Sequence, residues 1–334
     1  MFLYLTTDGL TINKSGGRFV IYNPHQDAKR ETPISLIEWI VLIGNIQLTT
    51  QVIKACLKGK IPVFFLSKRW NYFGKLDSIE IKNVELLYKQ IQASMDEWVS
   101  LNYAKSIVYR KIENSRIMLL RWSRTYDIST IDISKKLYEY SEKVKYVDNI
   151  DSLRWIEWVS ARVYYQWFSK FIQKPFEFNG RNRRPPRDEV NSMLSLGYTL
   201  LAQTIQMMLD IYNINTQIWF YHKPKDLRTL LVLDMMEMFR ARVVDDMVIR
   251  VINKEAIVPE HFILLEDEES RPVYFTDEGL PKFLNEYYKT VFKKKDDFNL
   301  RNKFLRLRII EKEIETFKQS LSTGEFQYEG FKIK

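Results

Sequence analysis

The spacing of apolar residues changes near residue 80, and this change limits what the chain can fold into more than any other feature. Before it, short runs of β-branched and aromatic residues alternate with turn pairs such as Gly16-Gly17, a pattern typical of β-hairpins. After it, apolar residues recur every three or four positions, and no Pro or Gly interrupts Val84–Ser123. The sequence therefore predicts a two-domain α+β protein, with a β-sandwich-like domain in residues 1–80 and an all-α helical domain in residues 81–334.

The same patterns place the individual elements. In the first domain we expect six or more strands and one inserted helix at Leu48–Lys58. The strands that the pattern places are Phe2–Thr7, Leu10–Lys14, Arg18–Tyr22, Trp39–Ile43, Pro62–Leu66 and Asn71–Leu76. In the second domain we expect helices at Val84–Ser123, Asp127–Asp148, Leu153–Ile172 (capped by Asp151 or Ser152), Val190–Tyr212, Met247–Glu260, Glu278–Phe292 and Leu300–Leu321. An extended segment is expected at Pro272–Thr276.

Composition narrows the class of protein. The apolar fraction of 46% excludes a disordered chain, and the net charge of +9 is compatible with an anionic partner such as nucleic acid or with a solvated surface alone. A single cysteine, Cys56, excludes a disulfide framework, and with no signal peptide visible we expect a cytoplasmic protein. Val190–Leu209 carries no charge over twenty residues, but its seven polar side chains favour a helix buried in protein over a membrane span.

Acidic residues stand in two otherwise apolar helical stretches. Asp234, Glu237 and Arg240 follow one another at steps of three, which places them on roughly one helix face, and His222 precedes them. Two carboxylates near an imidazole suit a hard divalent cation, but Arg240 could equally be a counter-charge in an ordinary helix. Glu157 stands among tryptophans and aliphatic residues, and it needs a partner, either Arg162 or a metal.

The loop before the uncharged helix is rich in arginine, with Pro185-Pro186 fixing an extended backbone. Guanidinium groups bind phosphate in bidentate fashion, so the loop predicts contacts with a nucleic-acid backbone. The candidate residues are Arg181, Arg183, Arg184 and Arg187, with Lys223 close to His222. A polar seam follows on the helix at Asn191, Ser195, Thr199 and Gln203. This seam either bonds neighbouring helices or supports a polar site between them.

One residue and three segments, taken together, resemble a known family. They are Glu157, RRPPRDEVNSMLSLGYTLL at 183–201, FYH at 220–222 and LLVLDMMEMFRARVVDD at 230–246. In this order they resemble the CRISPR spacer-acquisition integrases, the catalytic subunits of the adaptation complex. The N-terminal hairpins, IGNIQ at 43–47, IPVFFLS at 61–67 and VYFTDEGLPKFL at 273–284 extend the resemblance over nearly the whole chain.

The resemblance implies a function and a set of site residues. It implies a metal-dependent DNA endonuclease and integrase that inserts short foreign DNA into the CRISPR array by 3′-hydroxyl attack on a repeat phosphodiester. Glu157, His222 and Glu237 match the ligands of Mg²⁺ or Mn²⁺, and Asp234 matches an acid close to the metal. Trp158 departs from the glycine that the family usually has after its first acid.

The resemblance also implies partners, and two alternatives stand beside it. The implied partners are double-stranded DNA, a second copy of the chain and a small ferredoxin-like subunit, without a membrane. The first alternative is a metal-independent nucleic-acid-binding protein whose carboxylates are structural. The second is a helical scaffold that binds no nucleic acid.

Overall fold

The computed structural model describes residues 2–67, 72–77, 84–182, 185–222, 229–265, 271–292, 306–324 and 327–333. It divides the chain into two compact units, Met1–Asn83 and Val84–Lys334. The first unit is built mainly of strands and the second mainly of helices, so the predicted fold class is confirmed. The predicted boundary between residues 80 and 81 lies outside the described residues.

The described residues of the first unit form two four-stranded sheets and a helix. The strands are β1 (Phe2–Leu5), β2 (Thr11–Ser15), β3 (Arg18–Asn23), β4 (Ala28–Pro33), β5 (Trp39–Ile43), β6 (Gln47–Leu48), β7 (Val63–Leu66) and β8 (Tyr72–Leu76). Helix α1 spans Thr50–Lys58. One sheet has the order β1-β5-β7-β8 and the other β4-β3-β2-β6.

Strand β5 lies inside its sheet because it is apolar on both faces. All five of its residues are buried, and it pairs in parallel with β1 on one side and β7 on the other. Ile40 from this sheet shares a core with Ile12 and Phe19 from the other sheet and with Val52 from α1. The two sheets and the inserted helix therefore form one hydrophobic core, as a sandwich requires.

The second unit contains the remaining helices. They are α2 (Val84–Met95), α3 (Glu97–Tyr126), α4 (Ile131–Val144), α5 (Ile150–Phe168), α6 (Glu189–Ile211), α7 (Leu230–Met236), α8 (Asp246–Asn253), α9 (Gly279–Val291) and α10 (Arg306–Thr323). A π-helical segment, Ala241–Asp245, leads into α8. A small antiparallel hairpin joins β9 (Phe262–Leu264) and β10 (Val273–Phe275).

Two predicted helices are wrong in extent. Val84–Ser123 is two helices, because Asp96 leaves the helical conformation and its carboxylate accepts a hydrogen bond from the Val99 N–H at 2.9 Å, which starts α3. The helix predicted at Met247–Glu260 ends at Asn253, and Glu255 takes a left-handed backbone with φ of 54°.

Smaller errors concern helix starts and a short strand. Helix α5 is capped by Asn149, which accepts a hydrogen bond from the Ser152 N–H, instead of by Asp151 or Ser152. Strand β9 was not predicted, since three residues give too short a pattern.

Helix α6 lies in the interior of the second unit, as predicted. Leu194, Leu201 and Ile205 are fully buried, and Asp188 caps the helix by accepting from the Asn191 N–H at 2.7 Å. Among the described residues, no helix combines the length and the apolar character that crossing a membrane needs. Gly197 lets α6 approach the π-helical segment, because a Cβ at this position would lie 2.5 Å from Cγ1 of Val244.

The close approach at Gly197 predicts the effect of adding one methyl group. We expect Gly197→Ala to lower the free energy of unfolding by about 1–2 kcal/mol, since overpacking a buried contact outweighs the helix propensity that alanine gains. Urea unfolding measures the change. Gly17→Ala, where a Cβ meets nothing within 4 Å, is the matched control. Val244→Ala should recover part of the loss in the double variant, and strictly additive effects would contradict the proposed contact.

Candidate active site

Asp234 organises the segment that carries His222. The side chain is fully buried on α7, and its carboxylate accepts hydrogen bonds from the N–H groups of Phe220 (2.9 Å), Tyr221 (3.1 Å) and His222 (3.1 Å). Its Oδ1 also lies 2.5 Å from Nδ1 of the His222 ring. An ionised Asp234 requires Nδ1 to carry the proton, so Nε2 keeps the lone pair that a metal or a proton takes.

Two further carboxylates meet at a lysine. The ammonium of Lys111, from α3, forms ion pairs with Glu157 from α5 and with Glu237 from the turn after α7, at 2.7 Å from Oε2 of Glu237. Arg240 lies 2.8 Å from the other oxygen of Glu237, and the Tyr221 hydroxyl donates to Oε2 of Glu157 at 2.9 Å. Three separate helical segments therefore contribute to one charged cluster inside the helical unit.

The positive groups of this cluster keep both carboxylates ionised. Burial by itself raises the pKa of Glu237, but Arg240, Lys111 and the nearby His222 outweigh it and lower the pKa to about 2. Burial likewise opposes ionisation of Glu157, and the Lys111 ammonium outweighs it, so the pKa of Glu157 lies below its ordinary value. Burial lowers the pKa of Lys111, yet Glu157 and Glu237 raise it above the ordinary value. Lys111 and Arg240 thus balance the two carboxylates.

The predicted metal ligands come together only in part. Glu157 and Glu237 meet around the Lys111 ammonium, whereas the His222 ring is held by Asp234. Within the described part of the chain, no three His, Cys, Asp or Glu side chains are close enough to hold a metal as they stand. One feature nevertheless fits a divalent cation: the two carboxylates already surround a positive charge, the Lys111 ammonium. The ligation itself stays a prediction.

A cavity of about 180 Å³ adjoins the cluster. Lys111, Glu157 and Arg240 line it together with Trp158 and Asp245. Trp158, at the position of the family's usual glycine, points outward with 58% of its surface exposed, so the indole fits without disturbing the buried face of α5. The cavity gives the charged cluster an opening through which a small group can enter.

A network of hydrogen-bonded tyrosines lies next to Arg240 and fixes its position. Tyr164 and Tyr198 donate hydrogen bonds to the buried Asp245 at 2.7 and 2.5 Å, and Tyr165 bonds to Tyr198. Burial raises the pKa of Asp245 above its ordinary value, although the two tyrosines lower it in part. The Arg240 guanidinium lies 4.5 Å from the centre of the Tyr198 ring, and this stacking fixes its position beside Glu237.

The predicted DNA contacts divide into three groups. Arg183, Arg184 and Lys223 lie outside the described residues. Arg187 is exposed, as a contact with the DNA backbone requires. Arg181 instead turns inward, to Oδ1 of Asn191 at 2.6 Å and to the Ser195 hydroxyl at 3.0 Å, so this part of the polar seam on α6 anchors the loop. Thr199 bonds within its own helix. DNA contact by Arg181 and Arg187 stays a prediction.

Two site residues escaped the sequence analysis. Tyr221 carries no local signal that distinguishes its hydroxyl from those of other tyrosines. Lys111 did carry a local signal, because its spacing places it on the buried face of α3. It follows the fully buried Ile107 by four positions and precedes the buried Asn114 by three. A lysine on the buried stripe of a helix needs acidic partners from elsewhere in the fold.

Known proteins are similar to this chain in sequence and in fold. Residues 3–289 match the model of a family described as CRISPR associated protein Cas1. "CRISPR-associated endonuclease Cas1 3" of Thermus thermophilus is 29% identical over 283 residues, which cover 84% of this chain and 80% of that protein. The "Partial Cas6-RT-Cas1--Cas2 complex" contains a chain with a TM-score of 0.82 and 23% identity, covering 100% of this chain and 99% of its own. A chain of the structure named "Casposase bound to integration product" has a TM-score of 0.72 and 22% identity, and the match covers 98% of this chain and 97% of that chain.

The low pKa of Glu237 predicts a pH-dependent loss of stability on its replacement. Glu237→Gln removes the ion-pair partner that lies 2.8 Å from Arg240 and one of the two carboxylates at Lys111. At neutral pH we expect the free energy of unfolding to fall by about 3–5 kcal/mol, because Lys111 and Arg240 lose a counter-charge.

The folded pKa of about 2 lies below the ordinary value of 4.5, so the contribution of Glu237 is complete above pH 4.5 and is lost as the pH falls toward 2. The difference in the free energy of unfolding between the wild-type protein and Glu237→Gln should therefore shrink below pH 4.5, measured by urea unfolding with EDTA present. Glu278→Gln, which removes an exposed ion pair with Lys282, is the control and should barely change stability. A gap that is unchanged at about pH 3 would contradict the assignment.

Proposed function

The chain belongs to the CRISPR-associated protein Cas1 family, and from this membership we propose that it is a metal-dependent DNA endonuclease and integrase of CRISPR adaptation. The observation that carries the proposal is the meeting of Glu157 and Glu237 at one largely buried positive charge, the Lys111 ammonium, with the His222–Asp234 pair on the adjoining segment. The relative named as an endonuclease and the casposase bound to its integration product support the same chemistry.

The proposed reaction is a phosphodiester exchange. The 3′-hydroxyl of a short foreign DNA forms a bond to a phosphorus of the repeat, and the repeat's own 3′-oxygen leaves and takes up a proton. Water in place of the 3′-hydroxyl gives hydrolysis, which is the endonuclease activity. A bound Mg²⁺ or Mn²⁺ would supply Lewis acidity toward the phosphoryl oxygen. Glu157, Glu237 and His222 would hold it, since carboxylate oxygens and an imidazole nitrogen suit these ions.

The chain's own residues orient the reacting groups. Asp234 keeps the His222 ring in one orientation by bonding both its backbone N–H and its Nδ1. Tyr221 donates to one oxygen of Glu157, which leaves the carboxylate fixed relative to α5. Arg240 does the same for Glu237. Rigid placement of these groups is what a reaction between two DNA strands needs, because the attacking and leaving oxygens must lie in line.

We propose the partners on the same footing. Double-stranded DNA, both the foreign fragment and the repeat, is the substrate, and the loop around Arg187 and the residues beside His222 contact its backbone. A second copy of the chain and a small ferredoxin-like subunit complete the assembly. The solved complex named for Cas1 and Cas2 supports a partner subunit. We expect the protein to act in the cytoplasm of a prokaryotic cell.

One observation favours a second candidate function. Lys111 and Arg240 already neutralise Glu157 and Glu237, which is what structural carboxylates need. A nucleic-acid-binding protein without metal chemistry would show this arrangement too. It would bind DNA with the salt dependence of phosphate contacts and would neither cut nor join it.

Two sets of variants separate catalysis from DNA binding. His222→Ala should abolish Mn²⁺-dependent cleavage and integration while DNA affinity stays nearly unchanged, because it removes a metal ligand and no phosphate contact. Arg183→Ala with Arg184→Ala should weaken DNA binding and make its salt dependence shallower, by up to about two charges. Cleavage assays and DNA titrations against salt measure both effects, and His25→Ala, on an exposed turn, is the control. Wild-type cleavage by a folded His222→Ala would favour the metal-independent alternative.

The sheets of the first unit predict a homodimer. Among the described strands, β4 and β8 lie at sheet edges, and edge strands favour pairing with or covering by another chain. We expect the protein to sediment as a dimer at micromolar concentration in analytical ultracentrifugation. A monomer under those conditions would argue against an assembly through this unit.

A further inference from the structure

Lys111 occupies the space between two carboxylates that are both predicted to bind a metal. It stands on α3, only 14% of its side chain is exposed, and its ammonium contacts Glu157 and Glu237 at once. Glu237 already has Arg240 as a counter-charge, so a purely structural lysine would need only one of these contacts. The double contact places a positive charge between the two carboxylates.

A divalent cation and the Lys111 ammonium cannot share this position. Mg²⁺ lies about 2.0–2.1 Å from its oxygen ligands, whereas Lys111 Nζ now lies 2.7 Å from Oε2 of Glu237. A metal that took this place between the two carboxylates would stand almost in contact with the ammonium, inside a largely buried site where like charges repel strongly. The cluster is also neutral before any metal arrives, so two added positive charges lack a counter-charge within it.

The cavity beside the cluster gives Lys111 somewhere to go. Lys111 is part of the lining of this cavity of about 180 Å³, so its flexible side chain can leave the carboxylates without unfolding α3. A DNA phosphate that enters the same cavity would bring the missing negative charge and would offer the displaced ammonium a new partner.

We propose that Lys111 is a resident counter-cation that competes with the divalent metal for Glu157 and Glu237 and transfers to a DNA phosphate when the metal binds. Lys111 therefore makes metal affinity low in the absence of DNA and couples metal binding to DNA binding. By linkage, each ligand raises the affinity of the other by the same factor. The inference rests on the proposed function, because it takes these carboxylates as metal ligands.

The test measures Mn²⁺ affinity directly, by electron paramagnetic resonance, without DNA and with a short duplex whose 3′ ends are dideoxy. Lys111→Met keeps the length of the side chain and removes the charge. Without DNA we expect Lys111→Met to bind Mn²⁺ about tenfold more tightly than the wild type, or more. DNA should tighten Mn²⁺ binding by the wild type and change that of Lys111→Met little. Lys105→Met is the matched control, since Lys105 is on α3 and, within the described residues, bonds to the Lys145 carbonyl instead of to a carboxylate of the cluster.

The outcomes separate the inference from the function on which it rests. If the wild type binds Mn²⁺ and Lys111→Met binds it no more tightly, the competition is refuted while the metal site stands. If the wild type binds no Mn²⁺ with or without DNA, the proposed function fails. Lys111→Arg keeps the positive charge, and it replaces Lys111→Met in the test if that variant does not fold. Its Mn²⁺ affinity should be no higher than that of the wild type, and tighter binding would also overturn the inference.

Discussion

The helical unit depends on ion pairs made away from water. Glu157 and Glu237 lie on different segments, and burial opposes ionisation of both carboxylates until a cation lies beside them. Lys111 joins the two carboxylates, and Arg240 holds the second one from the other side. Because a lost partner would leave a buried charge uncompensated, α3, α5 and the segment after α7 must keep their relative positions.

The neighbouring Asp234 solves a similar problem with backbone groups. Its carboxylate is completely buried, and three successive N–H groups from Phe220 to His222 bond to it. A chain folded around a carboxylate in this way holds the next side chain in one place, and here that side chain is the imidazole. The same acid therefore stabilises the fold locally and sets the orientation of a ring that the proposed reaction uses.

The two clusters differ in how readily they can change. Asp234 is held by backbone, which cannot move without rebuilding the segment. Glu157 and Glu237 are joined by a long flexible side chain at the edge of a cavity, and in our proposal a metal ion replaces this contact. A site that combines a fixed imidazole with an exchangeable counter-charge suits a reaction in which metal and DNA arrive together.

Local patterns in the sequence were sufficient for much of the fold. The change from hairpin pattern to helical periodicity gave both units and the buried α6, since periodicity reports which face of an element is apolar. The pattern was insufficient where a single residue decides an end, as at Asp96, whose side chain starts a new helix inside a continuous apolar repeat. It was also insufficient at β9, which is too short to show a period.

The site divides in the same way. The sequence by itself determined Glu157, His222, Asp234 and Glu237 as candidates, because acids and an imidazole in apolar stretches need partners and because their order resembles a family's. Only the tertiary structure decided which side chains pair with these candidates. Lys111 is 46 residues from Glu157 in sequence, and Arg181 turns toward Asn191 and Ser195, which follow it by 10 and 14 residues. Sequence spacing encodes the faces of single elements, whereas the pairing of charges between elements depends on how helices distant in sequence pack.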